Sequence, residues 1–332
     1  MTTTRADLDP YLNDPHRWGV SLAHLADVML PCLDAARVRS VVEIGAFAGD
    51  LTRLLVDWAA RSGARVGAVD PAPQPSLVEL ARDHDGLELV RETSLEALRH
   101  IELPDAVIVD GDHNYYTVAQ ELRLIAERAA EAELPLLILH DVGWPHARRD
   151  DYFAAEQVPE EYRQPVAGDG GGLYPGEPGL RAGGLPYPRS AAREGGARNG
   201  VLTAVEDFVA GDPRLRLALV PAFFGFGVVW HADALYAQDL ARILGPLDRN
   251  PLLERLEANR IEQLARAYTT LFELQAEKAR RARQEAVLRR LLESSAFAVA
   301  ERLSRLRRRA GVAPAQSVVS KAEIRRALEP DG

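Results

Sequence analysis

Two polar clusters in this chain carry residue types that can do acid–base or metal chemistry. Each follows a run of four apolar residues: the first cluster contains Asp110 and His113, and the second consists of His140 and Asp141. Histidine accepts protons near neutral pH, and a carboxylate can orient an imidazole or bind a divalent cation. Burying Asp110 or Asp141 at a strand end is costly without a partner, which favours a functional role for both.

Two mechanisms are open for these residues. In the first, Asp110, His140 and Asp141 hold a divalent metal that binds a hydroxyl group and lowers its pKa. Magnesium prefers oxygen ligands, so the histidine also admits manganese, iron or zinc. In the second, His113 or His140 acts as general base while Asp110 or Asp141 orients the imidazole and stabilises its charged form. Residue spacing alone does not decide between them.

A glycine-rich motif lies upstream of both clusters. Residues 41–50 read VVEIGAFAGD, in which Gly45 and Gly49 have the spacing G-x-x-x-G, and residues 66–70 read VGAVD. A strand, a glycine turn, a helix and a second strand ending in a carboxylate are typical of a site for a nucleoside-containing cofactor. A dinucleotide site instead has G-x-G-x-x-G and a pyrophosphate on the helix amino end, which Glu43 would repel. The pattern therefore favours a cofactor with a cationic part and without phosphates, such as S-adenosylmethionine.

This segment resembles motif I of the class I S-adenosylmethionine-dependent methyltransferases. The resemblance implies that the glycine turn approaches the amino-acid part of the cofactor and that Asp70, 21 positions after Gly49, binds the ribose hydroxyls. It also implies a Rossmann-like, doubly wound, mostly parallel seven-stranded sheet. The predicted cofactor-binding residues are Glu43, Gly45, Ala46, Phe47, Gly49, Asp70 and Asp110.

The elements that must position these residues alternate along the chain. Apolar patterning predicts strands at 38–44, 65–69, 87–91, 106–110 and 136–139, and helices at 21–36, 50–62, 76–84, 94–101 and 116–132. This alternation predicts a doubly wound α/β sheet, whose ligand edge receives the glycine turn and both polar clusters. A helix at 201–210 and two strands at 215–221 and 226–230 predict the antiparallel hairpin that closes the class I fold, so the resemblance covers roughly residues 20–232.

Residues 142–200 interrupt this pattern with many glycines and prolines. Such a composition predicts no packed core. The segment follows a strand at the ligand edge, which predicts a lid insertion over the acceptor, the molecule that would receive the methyl group. The polar and aromatic residues that begin the lid are candidates for contact with a polar acceptor such as a sugar, although loop packing also explains them. They are Trp144, His146, Arg148, Arg149, Asp150, Asp151 and Tyr152.

The carboxyl-terminal part differs in composition and charge. Residues 251–332 contain 17 Lys or Arg against 11 Asp or Glu, so the formal net charge of −9 divides into +6 for this part and −15 for residues 1–250. Apolar residues recur at helical spacing from Pro251 to about Arg309, which predicts one long amphipathic helix or a pair. We expect a methyltransferase domain over 1–250 and a helical, partly basic arm over 251–332 that forms a homo-oligomer. The acidic domain disfavours nucleic acid as a partner, and the basic cluster near Arg309 is typical of a solvated helix face.

Composition bounds the remaining properties. With 332 residues, 47% of them hydrophobic, the chain can bury a full core. No apolar run approaches the ~18 residues of a membrane span, and the amino end has no apolar segment of signal-peptide length, so we expect a cytoplasmic protein without membrane partners. Cys32 is the single cysteine in the sequence, which excludes an intrachain disulfide.

Together these features predict an S-adenosylmethionine-dependent O-methyltransferase that acts on a hydroxyl of a sugar, glycoside or other small secondary metabolite. The polar clusters resemble those of metal-dependent sugar and natural-product O-methyltransferases and the related cephalosporin-hydroxylase-like group, which place acids after strands four and five. His140 departs from that pattern, because those families tend to have another acid there. The alternatives are a hydroxylase-like or other non-methylating enzyme on the same scaffold, or a cofactor-binding assembly module.

Overall fold

The computed structural model describes residues 22–129, 133–168, 171–311 and 319–328. Three predictions concern residues outside these ranges. They are the expected lack of a signal peptide at the amino end, the start of a helix at Ser21 and the end of a helix at 130–132. No helix in the described part of the chain is both long and apolar enough to cross a membrane.

One mostly parallel sheet forms the centre of the fold. Its strands are β1 (Ser40–Ile44), β2 (Arg65–Val69), β3 (Leu87–Val90), β4 (Ala106–Val109), β5 (Leu136–His140), β6 (Leu215–Val220) and β7 (Phe226–His231). They are ordered β3-β2-β1-β4-β5-β7-β6. The first five strands are parallel to one another, whereas β7 is antiparallel to both β5 and β6. The predicted doubly wound, seven-stranded α/β fold with a closing hairpin is therefore confirmed.

Helices cover both faces of this sheet, and further helices follow it along the chain. They are α1 (Ala26–Ala35), α2 (Asp50–Ser62), α3 (Pro75–Asp83), α4 (Ser94–Ala97), α5 (Tyr115–Arg128), α6 (Val201–Ala210), α7 (Ala237–Leu244), α8 (Pro251–Glu293), α9 (Ser295–Arg309) and α10 (Lys321–Leu328). Short 3-10 turns lie at Leu22–Leu25, His146–Arg148, Ala155–Gln157 and Glu160–Tyr162.

The central strands are buried on both faces, which explains their unbroken apolar sequences. Ile108 and Ile138 pack in a core with α1, α2, α3 and α7 on one face. Their neighbours Val107 and Leu137 pack with α5 and α6 on the other face. The carboxyl ends of β4 and β5 are thereby fixed side by side, and both polar clusters begin at this edge.

The prediction that residues 142–200 lack a packed core was wrong. The described part of this segment encloses a polar core around Asp150, whose carboxylate accepts hydrogen bonds from the Tyr115 amide at 2.7 Å, the Gly200 amide at 2.7 Å and the Tyr152 hydroxyl at 2.9 Å. The guanidinium of Arg149 is also buried and donates to two backbone carbonyl groups. Satisfied polar groups replace the apolar periodicity that usually indicates a core. Arg149, Asp150 and Tyr152 therefore have packing roles.

The arm contains a pair of helices, α8 and α9, separated at Ser294. A pair was one of the two forms predicted from the sequence. Contacts divide the chain into a unit that ends at Ala267 and a unit that begins at Tyr268. The first part of α8 therefore belongs to the same unit as the sheet. The predicted domain boundary at residue 250 stays a prediction.

Candidate active site

Gly45 lets three strand ends converge. Its φ is +86°, and a β-carbon at this position would lie 2.1 Å from the carbonyl oxygen of Asp110. Its amide donates to the carbonyl of Val69 at 2.9 Å. Since no side chain can fit here, glycine brings the ends of β1, β2 and β4 into contact. Gly49, with φ +81°, makes the turn into α2.

Glu43 lies beneath this turn as a buried carboxyl group. The hydroxyl of Thr52 donates to its Oε2 atom at 2.6 Å. Burial raises the pKa of Glu43 to about 8, and the charges of Asp110 and Asp70 add to the effect. The group is therefore largely protonated at pH 7, and a cation placed beside it would favour the ionised form.

Asp70 follows β2 and is held by the backbone of the glycine turn. Its Oδ2 atom accepts from the Phe47 amide at 2.7 Å, and its Oδ1 atom accepts from the Ala72 amide at 2.8 Å. Two backbone donors fix the carboxylate, and each oxygen retains acceptor capacity for a ligand hydroxyl.

These groups line one cavity of about 610 Å³ at the carboxyl ends of β1 to β4. The predicted residues in its wall are Glu43, Gly45, Ala46, Phe47, Asp70, Asp110 and His113. Gly49, His140 and Asp141 are not in that wall. A second cavity of about 690 Å³ lies at the opposite edge of the sheet, beside His231 and Tyr236, and is far from this chemistry.

Several wall residues were not predicted from the sequence. They are Pro71, Ala72 and Gln74 after β2, Thr93, Ser94 and Leu95 after β3, and Phe153, Ala154 and Gln157 of the lid. One signal was available, because Thr93 and Glu96 form a capping box, whose S/T-x-x-E pattern marks the start of a helix at the ligand edge. The lid residues carry no comparable pattern.

His140 is buried and has hydrogen-bond partners on both ring nitrogens. Nδ1 lies 2.9 Å from Oδ1 of Asp110, and Nε2 lies 2.8 Å from the carbonyl oxygen of Phe223. A carbonyl can only accept, so Nε2 carries a proton. Burial lowers the pKa of His140, but Asp110 and Asp141 outweigh it and raise the pKa well above its ordinary value. His140 is therefore a charged link between the two strand ends.

His113 faces both the cavity and the acid cluster. Its Nε2 atom lies 3.2 Å from Oδ2 of Asp141 and 3.6 Å from Oδ1 of Asp110. Burial opposes the charged ring, yet these two carboxylates raise the pKa of His113 to about 9. Burial likewise opposes ionisation of Asp141, but His113 and His140 outweigh it and lower the pKa of Asp141.

The predicted metal ligands lie close together but are already engaged. Asp110, His140 and Asp141 offer atoms within 4.8 Å of one another. A metal binds an imidazole through an unprotonated nitrogen, and both nitrogens of His140 are committed to Asp110 and Phe223. As arranged, this trio offers carboxylate oxygens without a free imidazole. The geometry therefore favours the mechanism in which a histidine is the base.

The strand order, the glycine turn after β1 and the acid after β2 define a class I methyltransferase fold. Residues 42–142 match a family model described as a methyltransferase domain. The resemblance seen in the sequence is thereby confirmed: residues 42–142 carry a methyltransferase domain within a fold of the class I type. No curated protein sequence matches the chain significantly.

Several solved methyltransferases are similar to this chain, at low identity and with low TM-scores. The methyltransferase PaMTH1 of Podospora anserina, bound to S-adenosylhomocysteine, has a TM-score of 0.40 and 15% identity over 67% of this chain and 83% of that chain. A putative caffeoyl-CoA O-methyltransferase from Staphylococcus aureus has a TM-score of 0.36 and 11% identity over 67% of this chain and 98% of that chain. NcsB1, an O-methyltransferase from neocarzinostatin biosynthesis in complex with S-adenosylmethionine and 2-hydroxy-5-methyl naphthoic acid, has a TM-score of 0.38 and 13% identity over 68% and 60% of the two chains.

Proposed function

We propose that this protein transfers the methyl group of S-adenosylmethionine to a hydroxyl oxygen of a small acceptor such as a sugar, a glycoside or another secondary metabolite. One observation carries the proposal: Glu43 and Asp70 line the same cavity as His113, which is the best-placed base in the described residues. Cofactor recognition and proton removal would therefore take place in one space.

At the cofactor end, Asp70 would accept hydrogen bonds from the ribose hydroxyls, because both its oxygens face the turn and keep lone pairs. Glu43 would ionise beside the cationic part of the cofactor. The cofactor supplies an electrophilic methyl group on a positively charged sulfur. The glycine turn brings backbone rather than side chains to this end of the cavity.

At the acceptor end, His113 in its neutral form would accept the proton of the acceptor hydroxyl. The oxygen then forms a bond to the methyl carbon as the carbon–sulfur bond breaks, and S-adenosylhomocysteine leaves with the electron pair on sulfur. Asp141 stabilises the imidazolium that His113 becomes. His140 holds Asp110 in place through its Nδ1 contact. Because the displacement is in line, positioning contributes much of the rate.

The metal-assisted mechanism is the second candidate for the same reaction, since Asp110 and Asp141 have carboxylate oxygens to offer. Turnover that is lost on chelation and restored by magnesium or manganese would favour it. The hydrogen bonds of His140 weigh against it, because they leave that imidazole without a free nitrogen for a metal.

The proposal is tested by the formation of S-adenosylhomocysteine in the presence of a panel of hydroxylated sugars, glycosides and phenols. We expect His113→Ala to lower kcat/KM by about 10² to 10⁴ with unchanged affinity for S-adenosylhomocysteine. His100→Ala, which removes an exposed histidine paired with Glu92, is the matched control. Tight cofactor binding without transfer to any acceptor would instead support a cofactor-binding assembly module.

A further inference from the structure

A second group of metal-ligand side chains lies on the lid side of His113. His113, His146 and Asp151 each offer a ligand atom, and these atoms all lie within 4.8 Å of one another. The Asp151 amide donates to the carbonyl of His113 at 2.9 Å, and the ring centroids of His113 and His146 are 5.2 Å apart. The three residues are therefore held together by backbone and by ring packing. Sequence reasoning did not single them out as a set.

His146 has an unusual environment for a polar side chain. It is 2% exposed, and within the described residues its Nδ1 atom has no hydrogen-bond partner. The ring of Tyr187 packs edge-on against it with centroids 4.9 Å apart. A buried polar atom without a partner costs about 1–3 kcal/mol. Such an atom in a native protein calls for an explanation, and a bound ion is one such explanation.

Asp151 is oriented as a metal-binding carboxylate usually is. The hydroxyl of Ser190 donates to its Oδ1 atom at 2.8 Å, and Ser190 is itself fully buried. Outer hydrogen bonds of this kind fix the direction of a ligand and are part of most protein metal sites.

We propose that His113, His146 and Asp151 form a site for one transition-metal ion, with zinc as the best-suited metal. Two imidazoles and one carboxylate are a ligand set that zinc accepts and magnesium disfavours. The site is separate from the trio of Asp110, His140 and Asp141, in which the imidazole is already engaged.

Zinc at this site inhibits methyl transfer. A neutral imidazole has one lone pair, so a metal ion that takes the lone pair of His113 leaves no atom to accept the proton of the acceptor. The inhibition rests on the proposed function, in which His113 is the base, whereas the metal binding does not.

Metal binding is tested by calorimetric titration of the full chain with zinc chloride, and by the visible absorption of added cobalt as a spectroscopic probe. We expect one ion per chain in the wild type and in the control His100→Ala. His146→Ala should weaken binding by more than about 100-fold, and Ser190→Ala by about 10 to 100-fold, because it removes an outer hydrogen bond from Asp151. Thermal unfolding and S-adenosylhomocysteine binding would identify any variant that fails to fold, and the milder Ser190→Ala then decides the question.

The proposal is overturned if the wild type binds no zinc or cobalt, or if His146→Ala and Ser190→Ala bind as tightly as the wild type. The latter result would place the ion elsewhere, as at Asp110, His140 and Asp141. Inhibition is measured in a separate assay of methyl transfer. Zinc should lower the rate of methyl transfer by the wild type and by His100→Ala over the concentration range in which it binds. If zinc binds through His146 and the rate is unchanged, the metal site stands and the role of His113 as base is wrong.

Discussion

At the scale of single residues, the proposal depends on His113 and its charged partners. Asp141 lies 3.2 Å from Nε2 of His113. Burial opposes the charged ring, but Asp141 contributes most among the charges that raise the pKa of His113 to about 9. A base must be neutral to accept a proton. We therefore expect kcat/KM to rise with pH, to reach half of its maximum near pH 9 and to level off above that pH, because kcat/KM reports the free enzyme.

Asp141→Asn tests the origin of this profile. Asparagine keeps the shape of the side chain and tolerates the positive φ of this position, 55°, but it removes the negative charge. The pKa of His113 should fall, so the rising limb of the pH–rate profile should move to lower pH while kcat decreases. Asp85→Asn, at an exposed carboxylate, should leave the profile in place. An unshifted profile in Asp141→Asn would mean that another group controls the rate.

The sequence predicted many of the site residues because their positions follow from strand ends. Asp110 and Asp141 each come directly after a buried apolar run, and parallel strands end at one edge. The partner of His140 could not be predicted this way, since the carbonyl of Phe223 is 83 residues away in the chain. The same holds for His146 and Asp151, which the irregular lid brings to His113.

At the scale of elements, the turn between β6 and β7 connects α8 to the site. Phe223, Phe224 and Gly225 have φ values of 49°, 67° and 94°, and the left-handed region costs a non-glycine residue about 1–2 kcal/mol. The carboxylate of Glu257 accepts from the Phe224 amide at 2.8 Å, and the Arg260 guanidinium lies 4.6 Å from the Phe224 ring centroid. The first turns of α8 thus help to hold the turn whose carbonyl binds His140.

Glu257→Ala should loosen this turn. We expect a loss of about 1–3 kcal/mol in the free energy of unfolding and a lower kcat with little change in affinity for S-adenosylhomocysteine. Glu257→Gln keeps an acceptor for the Phe224 amide and should restore much of the kcat. Glu254→Ala removes an exposed carboxylate from the same helix and is the control. Equal kcat values in all three variants would show that the turn does not position the site.

Local patterns predicted the elements unevenly. The helices at 50–62 and 201–210 and the strand at 65–69 have the predicted bounds. Apolar patterning fixes all three locally, and a glycine flanks each of the two helices at both ends. The helix predicted at 94–101 ends at Ala97, and α7 was not predicted, since short elements depend on tertiary packing. The polar core of the lid depends on contacts between distant residues such as Asp150 and Gly200, which no local pattern shows.

At the scale of the whole molecule, buried carboxyl groups make stability depend on pH. Burial raises the pKa of Glu43 and of Glu121 from 4.5 to about 8. Between these values the folded protein keeps protons that the unfolded chain releases, so stability falls as pH rises through this window. His113, raised from 6.5 to about 9, acts in the same direction. Asp141, whose pKa is lowered, instead removes stability as pH falls below its ordinary range.

Urea unfolding at pH 5, 7 and 9 checks this prediction. We expect the free energy of unfolding to decrease over the series, by up to about 1.4 kcal/mol for each unit by which a pKa differs between the two states. Glu121→Gln should make the decrease smaller, because it removes one titrating group, whereas Glu79→Gln at an exposed position should not. Stability that increases from pH 5 to pH 9 would contradict the assigned pKa shifts.

We propose that the arm binds a second copy of this chain. Apolar side chains on α8 and α9 are exposed, including Leu271, Phe272, Leu303 and Leu306. Light scattering should therefore give an oligomer for the full chain and a monomer after truncation at Ala267. That truncation keeps Glu257 and Arg260 and ends the chain where its contacts divide. An unchanged mass would show that the arm does not form the interface.

The cofactor cavity is the central claim, and calorimetric titration with S-adenosylhomocysteine tests it most directly. We predict one site per chain in the wild type and a Kd at least about 10-fold higher in Asp70→Ala, because a hydrogen bond to a charged group is worth about 1.5–3 kcal/mol. Asp85→Ala removes an equal charge from an exposed position and should bind like the wild type. Absence of binding in the wild type, or equal affinity in Asp70→Ala, would contradict the account.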